Sequence, residues 1–317
     1  MSLSEGPRFR PNRWMRRAVG PIFGAACLAA TCMGVIVLAL LLGSIIAAAL
    51  QGPPDHPWYA IGPNLAELFT LIRNLASEPR VAKGHIPQPG YLVGIVGSLW
   101  LLGLVALLGI PIGIGAGVYL EEYSPPGRLR RIIQTNIANL AGVPSIVYGI
   151  LGLALFVRAF GIKGLALGPT LLAGVLTLSL LILPIIVITT QEALRAVPQS
   201  LRQAALALGA TRWQVVRDHV LPAAMPGILT GTILGLSRAI GETAPLLMVG
   251  AAGSILRPPK GPLDRYSALP VVIYNYAKEP DRKYQIVAAG GILILVALLL
   301  AMNAVAIVIR NRYRRYQ

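Results

Sequence analysis

The sequence predicts an all-α polytopic membrane protein with six transmembrane helices, and two properties of the chain carry that prediction. Of its 317 residues, 55% are hydrophobic and only 13% are charged, with a mean hydropathy of +0.68. Soluble globular domains have about 25% charged residues. The apolar residues are also gathered into long runs, and a run of about 20 such residues is enough to cross a bilayer as a helix.

The predicted spans follow one another with mostly short polar connections. A basic tail at residues 1–17 precedes the first apolar run, 18–50. This run is longer than the core of a signal peptide, about 7–15 residues, so it predicts an uncleaved anchor span. The remaining predicted elements are a Pro-rich loop at 51–89, a span at 91–120, a polar loop at 121–131, a span at 133–156, a turn at 157–168, a span at 169–190, a charged segment at 192–222, a span at 226–255, a loop at 256–285, a span at 286–309 and a basic tail at 311–317.

Three glycines in the second span recur every four residues, at Gly109, Gly113 and Gly117. In a helix this spacing puts the small residues on one face, where a neighbouring helix can approach closely. The alternative is the ordinary enrichment of glycine in membrane helices. The pattern indicates a close contact between the second span and another helix.

The charged segment at 192–222 predicts two short helices joined at a glycine. Gly209 stands where the C-cap of the first helix belongs, and Thr211 and Gln214 have the spacing of a capping box that begins the second. Pro222 is expected to end the second helix. The apolar stripes of the two helices comprise Leu201, Ala204, Ala205 and Leu208 in the first and Trp213, Val216 and Val220 in the second.

Two interpretations fit a helix–glycine–helix segment. One is a DNA-binding helix-turn-helix, which also uses glycine in its turn. The other is a folded loop on a membrane surface that docks a soluble partner. Because the apolar runs at 171–190 and 227–255 fix both ends of the segment to the membrane, the sequence favours docking and predicts no nucleic-acid partner.

Positive charge is distributed unevenly over the predicted connections. The net charge of +16 would indicate a nucleic-acid partner in a soluble protein, but in a membrane protein arginines set topology and contact anionic lipid headgroups. With six spans both termini lie on one side, together with the arginines of the 121–131 loop and the 192–222 segment. The positive charges of the other side are spread over two long loops. This bias predicts that both termini and the 192–222 segment are cytoplasmic.

The fifth predicted span carries charge near its centre. Arg238 lies about 18 Å along a helix from Pro226, at about 1.5 Å per residue. A central arginine costs at least about 2.5–3.5 kcal/mol on insertion scales. Glu242 is four residues further on and shares the same helix face, so the two side chains are expected to pair.

This charged pair admits a structural and a functional interpretation. It either joins helices of the bundle or lines a pathway, and desolvation tends to cancel the gain of a purely structural pair. An arginine donates two parallel hydrogen bonds to an oxyanion. We therefore expect Arg238 to meet an anionic substrate, and Glu242 to orient Arg238 and prevent its charge from trapping that substrate.

Ser145 and Tyr148 carry hydroxyl groups one turn apart in the third predicted span. They are candidates for hydrogen bonds to a transported oxyanion. Bonding of each hydroxyl to its own helix backbone is the alternative. Cys27 and Cys32 have no metal-ligand spacing with any histidine, so no metal site is expected.

The 192–222 segment resembles the loop that permease subunits of ABC importers insert into a cleft of their ATPase. The matching positions are Gln203, Ala204, Ala205, Gly209, Ala210, Leu221 and Pro222. Gln203 departs from the family's glutamate and His219 from its isoleucine. The resemblance implies that ATP-driven motion enters the chain through this segment.

A second set of motifs resembles the PstA-type permeases of bacterial phosphate importers. It consists of residues 238–247 (RAIGETAPLL), residues 142–149 (GVPSIVYG), which PstC-type sister permeases share, and the stretch from Leu269 to Asn275. The similarity covers about 90–310. It implies the MetI-like bundle of type I importers, a location in the bacterial inner membrane, a PstC-like permease partner, a PstB-like ATP-binding dimer and an external PstS-like phosphate-binding protein.

Other functions are consistent with parts of the sequence. The chain could be a permease for sulfate or molybdate, the sister phosphate permease, a secondary transporter or channel, or a scaffold. The charged pair in the fifth span argues against a scaffold. The sequence has no G-x-x-x-x-G-K-[ST] motif, so it predicts neither an enzyme nor a bound cofactor in this chain, with ATP and Mg²⁺ used by the partner ATPase.

Overall fold

The computed structural model describes residues 13–50, 73, 76, 81–83, 86–88, 90–162, 164, 166–251, 255 and 257–314. Residues 1–12 of the predicted basic tail and most of the predicted 51–89 loop lie outside the described part. The chain divides into one unit that ends at Ala48 and a second that begins at Ala49. Each unit is described by itself.

The described part of the first unit lies in the helix α1, Arg13–Leu50, which is 38 residues long and whose last two residues belong to the second unit. Its apolar side chains are exposed, including Leu28, Leu38 and Leu40 at 66–68%. Exposed apolar side chains along a helix of this length fit the hydrocarbon of a bilayer, which about 20 helical residues cross. This agrees with the predicted anchor span.

In the described part of the second unit, a small hairpin precedes a helical bundle. Strands β1 and β2 have three residues each and pair antiparallel, with Val81 opposite Gln88. The sequence predicted only a loop here. The further elements are β1 (Val81–Lys83), β2 (Ile86–Gln88), α2 (Leu92–Val118) with a π-helical turn (Tyr119–Tyr123), α3 (Arg128–Ala141), α4 (Ser145–Gly152) with a π-helical turn (Leu153–Val157) and a 3₁₀ turn (Ala159–Gly161), α5 (Leu171–Arg195), α6 (Gln199–Ala207), α7 (Arg212–Gln214) with a π-helical turn (Val215–Val220), α8 (Leu221–Gly241), α9 (Ala244–Val249), α10 (Leu269–Lys278) and α11 (Arg282–Arg314).

Five helices in the described part of the chain are long and apolar enough to cross a membrane, and a bent pair makes a sixth if it is one span. That pair is α3 and α4, which meet at an angle of 104°. The sequence predicted one continuous third span at 133–156, and this is wrong. Pro144 has no N–H to donate, and it disfavours helical backbone at the residue before it, so the helix stops and restarts at Ser145.

The fifth predicted span also differs from expectation at both ends. Pro222 does not end a helix, because α7, the π-helical turn and α8 form one continuous helix over Arg212–Gly241. The π-helical turn Val215–Val220 lies directly before α8 and is wound more widely than an α-helix. It therefore stands just ahead of Pro222, where the missing N–H would interrupt the backbone hydrogen bonds of the helix. The helix ends at Gly241 instead of near residue 255, and the short helix α9 follows.

The glycine spacing in the second span corresponds to a tight contact between α2 and α5. A Cβ on Gly113 would lie 2.7 Å from the nearest atom of Ile186, and a Cβ on Gly117 would lie 2.7 Å from Thr190. Gly109 faces Ile182 in the same way at 3.3 Å. The expected close approach of two helices is confirmed. The central apolar core forms around this contact, with Leu101, Val105, Leu178, Ile182 and Ile186 buried.

Replacement of Gly113 by valine is expected to destabilise the fold because its Cβ overlaps Ile186. Overpacking of a core costs about 1–3 kcal/mol. Gly115 provides a matched control on the same helix, since a Cβ there meets nothing within 4 Å. We expect Gly113→Val to lower the midpoint of thermal unfolding in detergent and Gly115→Val to leave it near that of the wild type. Equal midpoints for the two variants would contradict the packing described.

Candidate functional site

The 192–222 segment folds as its sequence predicts at the junction of its two helices. Gly209 adopts φ +86°, in the left-handed region that favours glycine. The backbone N–H of Thr211 donates to Oε1 of Gln214 at 2.8 Å, and the Gln214 N–H donates back to the Thr211 hydroxyl at 3.4 Å. The predicted capping box is confirmed, and it fixes the direction in which the second helix starts.

The positions that match the importer loop divide into a packed half and an exposed half. Ala205 is buried with Leu194, Val215 and Val220, and Ala210 and Leu221 pack against the same cluster. The exposed positions are Gln203, Ala204, Gly209 and Pro222. The segment is therefore anchored to the bundle by one face and presents the other to solvent.

Two large apolar side chains flank Gly209 on the exposed face. Leu208 is 90% exposed and Trp213 is 58% exposed. The sequence placed both on the apolar stripes of their helices, together with residues that are buried. Leu208 is the C-cap of α6, so its side chain extends past the last turn of the helix and is not part of the packed face. A leucine and a tryptophan exposed on one short segment are typical of a protein–protein contact.

The predicted pairing of Arg238 and Glu242 is present, but its setting differs from expectation. Nε of Arg238 donates to Oε1 of Glu242 at 3.4 Å. Arg238 lies in the last turn of α8 and Glu242 is its C-cap with extended backbone, so the pair marks the end of a helix and not its middle. The negative end of a helix dipole favours a cation at this position.

The terminal nitrogens of Arg238 are available for further hydrogen bonds. A guanidinium has five N–H donors, of which the one on Nε is directed at Glu242. Within the described residues, the two terminal amino groups of Arg238 make no hydrogen bond. The Arg238 side chain is 39% exposed and that of Glu242 is 16% exposed. The guanidinium is therefore fixed through Nε, while its two terminal amino groups remain open to an oxyanion.

The two sequence motifs that contain Ser145 and Glu242 pack against each other. Gly149 of α4 faces α9, and a Cβ on it would lie 2.7 Å from the Cα of Pro245. Helix α9 begins at Ala244, three residues after α8 ends at Gly241. The structure thus brings α4 next to the end of α8, although the two motifs are separated by about ninety residues of sequence.

The hydroxyl of Tyr148 is already used by the backbone. It donates to the carbonyl oxygen of Leu140 at 2.8 Å, across the bend between α3 and α4. Tyr148 is buried and Ser145 is half-buried in the first turn of α4. Tyr148 would have to leave the Leu140 carbonyl in order to donate to an anion.

A group of charged residues that the sequence reasoning did not single out joins the end of α2 to the 192–222 segment. Glu121 and Glu122, at the end of α2, pair with Arg130, Arg195 and Arg202. The sequence signal for this group was the pair of adjacent carboxylates that directly follows a long apolar span. The partners could not be inferred, because Arg195 and Arg202 are 74 and 80 residues away.

Two solved importer structures share the fold described here. A bacterial ABC transporter involved in the import of the acidic polysaccharide alginate aligns with a TM-score of 0.61 and 20% identity over 93% of this chain and 99% of that chain. The MetNI methionine ABC transporter aligns with a TM-score of 0.54 and 22% identity over 70% of this chain and 96% of that chain. The chain shares its fold with a chain of each of these two ABC transporters.

The chain belongs to the family of binding-protein-dependent transport system inner membrane components, whose model matches residues 109–315. It is 36% identical over 236 residues to the phosphate transport system permease protein PstA 1 of Mycobacterium tuberculosis, covering 72% of this chain and 74% of that protein. It is 37% identical over 243 residues to the protein named PstA of Haemophilus influenzae, covering 74% and 83%. A probable ABC transporter permease of Bacillus subtilis, YqgI, is 37% identical over 207 residues, covering 65% and 66%.

Proposed function

We propose that the chain is the transmembrane permease subunit of an ATP-driven ABC importer that moves inorganic phosphate into the bacterial cell. The observation that carries the proposal is Arg238, whose two terminal amino groups have no hydrogen-bond partner among the described residues. An arginine at the end of an apolar membrane helix is costly to bury, which favours a role in transport. The names of the PstA relatives select phosphate among the possible oxyanions.

The geometry of a guanidinium suits a tetrahedral oxyanion in transit. Its planar fork offers two parallel charge-assisted hydrogen bonds to two oxygens of the anion. Glu242 accepts the hydrogen bond from Nε of Arg238 and offsets part of the charge of the guanidinium. A fully unpaired arginine would bind phosphate too tightly to release it, and the paired one keeps the contact reversible.

Energy for transport enters through the 192–222 segment. Its exposed face, with Leu208 and Trp213 on either side of Gly209, offers an apolar contact to a soluble ATPase. The charge bias of the sequence favours a cytoplasmic location for this face and both termini, where an ATPase has access to ATP. ATP and Mg²⁺ belong to the partner ATPase, and no cofactor is assigned to this chain.

The proposed assembly has four kinds of component. This chain pairs with a homologous PstC-like permease, an ATP-binding PstB-like dimer binds the cytoplasmic face, and a PstS-like binding protein delivers phosphate from outside. The continuous helix over Arg212–Gly241 connects the 192–222 segment directly to Arg238. Closure of the ATPase dimer would move this helix as a rigid rod and alternate the access of Arg238 between the two sides.

Ser145 and Tyr148 are proposed as secondary residues of the path. They lie on α4, which packs beside the end of α8 through Gly149 and Pro245. Since the Tyr148 hydroxyl donates to Leu140, its role is to fix the bend between α3 and α4 in the state described. Ser145, in the first turn of α4, is the better candidate for a direct contact with an anion.

Affinity purification of the chain in mild detergent tests the proposal. We expect a second permease and a P-loop ATPase to co-purify, and we expect the ATPase activity of the complex to rise when phosphate-loaded binding protein is added. Stimulation by sulfate- or molybdate-loaded binding protein instead would assign another oxyanion. Ion-driven uptake by the chain alone, with no ATPase present, would show a secondary transporter and contradict the proposal.

A further inference from the structure

Two adjacent carboxylates at the end of α2 divide their contacts between different helices. Glu121 accepts two hydrogen bonds from Arg195 at the end of α5, at 2.9 Å each, and one from Arg130 in α3 at 3.2 Å. Glu122 instead accepts a hydrogen bond from Arg202 of α6 at 2.8 Å. Four helices therefore meet at one turn of the chain, Tyr119–Tyr123.

Arg202 of α6 joins the turn Tyr119–Tyr123 to the rest of the 192–222 segment. Besides Glu122, its guanidinium donates to the carbonyl oxygens of Val197 at 2.7 Å and Leu194 at 2.8 Å. These carbonyls lie at the C-terminal end of α5, where unpaired carbonyl groups and the helix dipole favour a cation. One side chain thus ties α6 to the ends of both α2 and α5.

The Glu122–Arg202 pair is largely removed from water. The side chain of Arg202 is 13% exposed and that of Glu122 is 12% exposed. The pair of Arg217 and Asp218, by contrast, spans 3.7 Å with side chains 67% and 54% exposed. Exposed pairs contribute little, whereas loss of one partner of a buried pair leaves an uncompensated charge. The buried pair is therefore the contact that resists separation.

The contacts of Glu121 lead from the same turn to the substrate path. Arg130 lies in the first turn of α3, and α3 continues through the bend into α4, which packs on α9 beside Arg238. The 192–222 segment is consequently connected to the region of Arg238 in two ways. One is the continuous helix that ends at Gly241, and the other is the set of carboxylate contacts between α6, α2 and α3.

We infer that Glu122 and Arg202 are positioning residues that transmit displacement of the 192–222 segment to α2 and, through Glu121 and Arg130, to the bent α3–α4 pair. This inference rests on the proposed function for the direction of the displacement. The mechanical link itself rests only on the contacts given above. It predicts that ATP hydrolysis continues without effective transport when the link is cut.

The first test measures phosphate taken up per ATP hydrolysed by the full importer in proteoliposomes. Glu122→Gln and Arg202→Gln are each expected to lower this ratio roughly tenfold, because each leaves one charge of a part-buried pair without its opposite charge. The double variant is expected to lose no more than either single one, since both cut the same link. Glu279→Gln and Arg131→Gln, at exposed positions that make no ion pair with another described residue, serve as controls. A normal ratio in Glu122→Gln, or losses that multiply in the double variant, would overturn the inference.

The second test does not depend on transport. Spin labels on Leu129→Cys in α3 and Gln203→Cys in α6, in a Cys27→Ala, Cys32→Ala background, report the distance between the two helices in the purified full-length chain. Adding Glu122→Gln is expected to broaden the distance distribution, and adding Glu279→Gln is expected to leave it unchanged. An unchanged distribution in Glu122→Gln would overturn the link. Failure of the wild-type importer to move phosphate would instead overturn the proposed function and leave this measurement valid.

Discussion

Replacement of Arg238 by alanine is expected to reduce phosphate uptake by about two orders of magnitude, since hydrogen bonds to charged groups contribute about 1.5–3 kcal/mol each. The variant loses both terminal amino groups, which make no hydrogen bond among the described residues. Arg238→Lys keeps the charge but not the planar fork, so an intermediate rate is expected. Initial rates of labelled phosphate uptake into proteoliposomes with the partner subunits give the comparison.

The control for this prediction removes the same charge elsewhere. Arg257 is exposed in the connection between α9 and α10, and Arg257→Ala is expected to transport at the rate of the wild type. Recovery of the partner subunits with Arg238→Ala shows that the variant assembles. An assembled Arg238→Ala importer with normal uptake would exclude Arg238 from the path.

Replacement of Leu208 and Trp213 by serine is expected to abolish binding of the ATPase partner. The two side chains are 90% and 58% exposed, so their loss does not disturb the packed core. Exposed aromatic and aliphatic anchors at an interface often contribute about 2 kcal/mol or more each. The amount of ATPase retained on the immobilised permease in detergent is the measurement.

A leucine of similar exposure provides the matched control for the docking prediction. Leu263 is 64% exposed in the connection between α9 and α10, outside the 192–222 segment. Leu263→Ser is expected to retain the ATPase fully. Retention of the ATPase by the Leu208→Ser, Trp213→Ser variant would mean that the enzyme docks on a different surface.

Local patterns predicted much of this structure because they depend on neighbours in the chain. The capping box of Thr211 and Gln214 spans four residues, and the pairing of Arg238 with Glu242 needs one helical turn. The glycine spacing in α2 was also sufficient to predict a close helix contact, although not that the partner is α5.

The positions of the helix breaks could not be predicted in the same way. Pro111 and Pro184 lie inside helices and Pro222 lies within a continuous one, whereas Pro144 separates two helices at a sharp angle. A proline in a membrane helix is tolerated when neighbouring groups satisfy the freed carbonyl and breaks the helix when they do not. That difference lies in the tertiary surroundings and not in the local sequence.

The contacts of Glu121 and Glu122 were inaccessible to sequence reasoning for a related reason. Each joins residues far apart in the chain, and a charged residue beside a predicted span has many possible partners. The exposure of Leu208 was missed because helical spacing does not show that a side chain at the C-cap extends past the packed face of its helix. Both features became visible only once the helix ends were located in space.

ATP-dependent uptake of labelled phosphate tests the central claim most directly. The importer is reconstituted from this chain, a PstC-like permease, the ATPase dimer and the binding protein. We predict that uptake requires ATP on the side of the 192–222 segment and binding protein on the other, and that unlabelled phosphate competes while sulfate does not. Uptake that proceeds without the ATPase, or that Arg238→Ala leaves unchanged, would contradict the account.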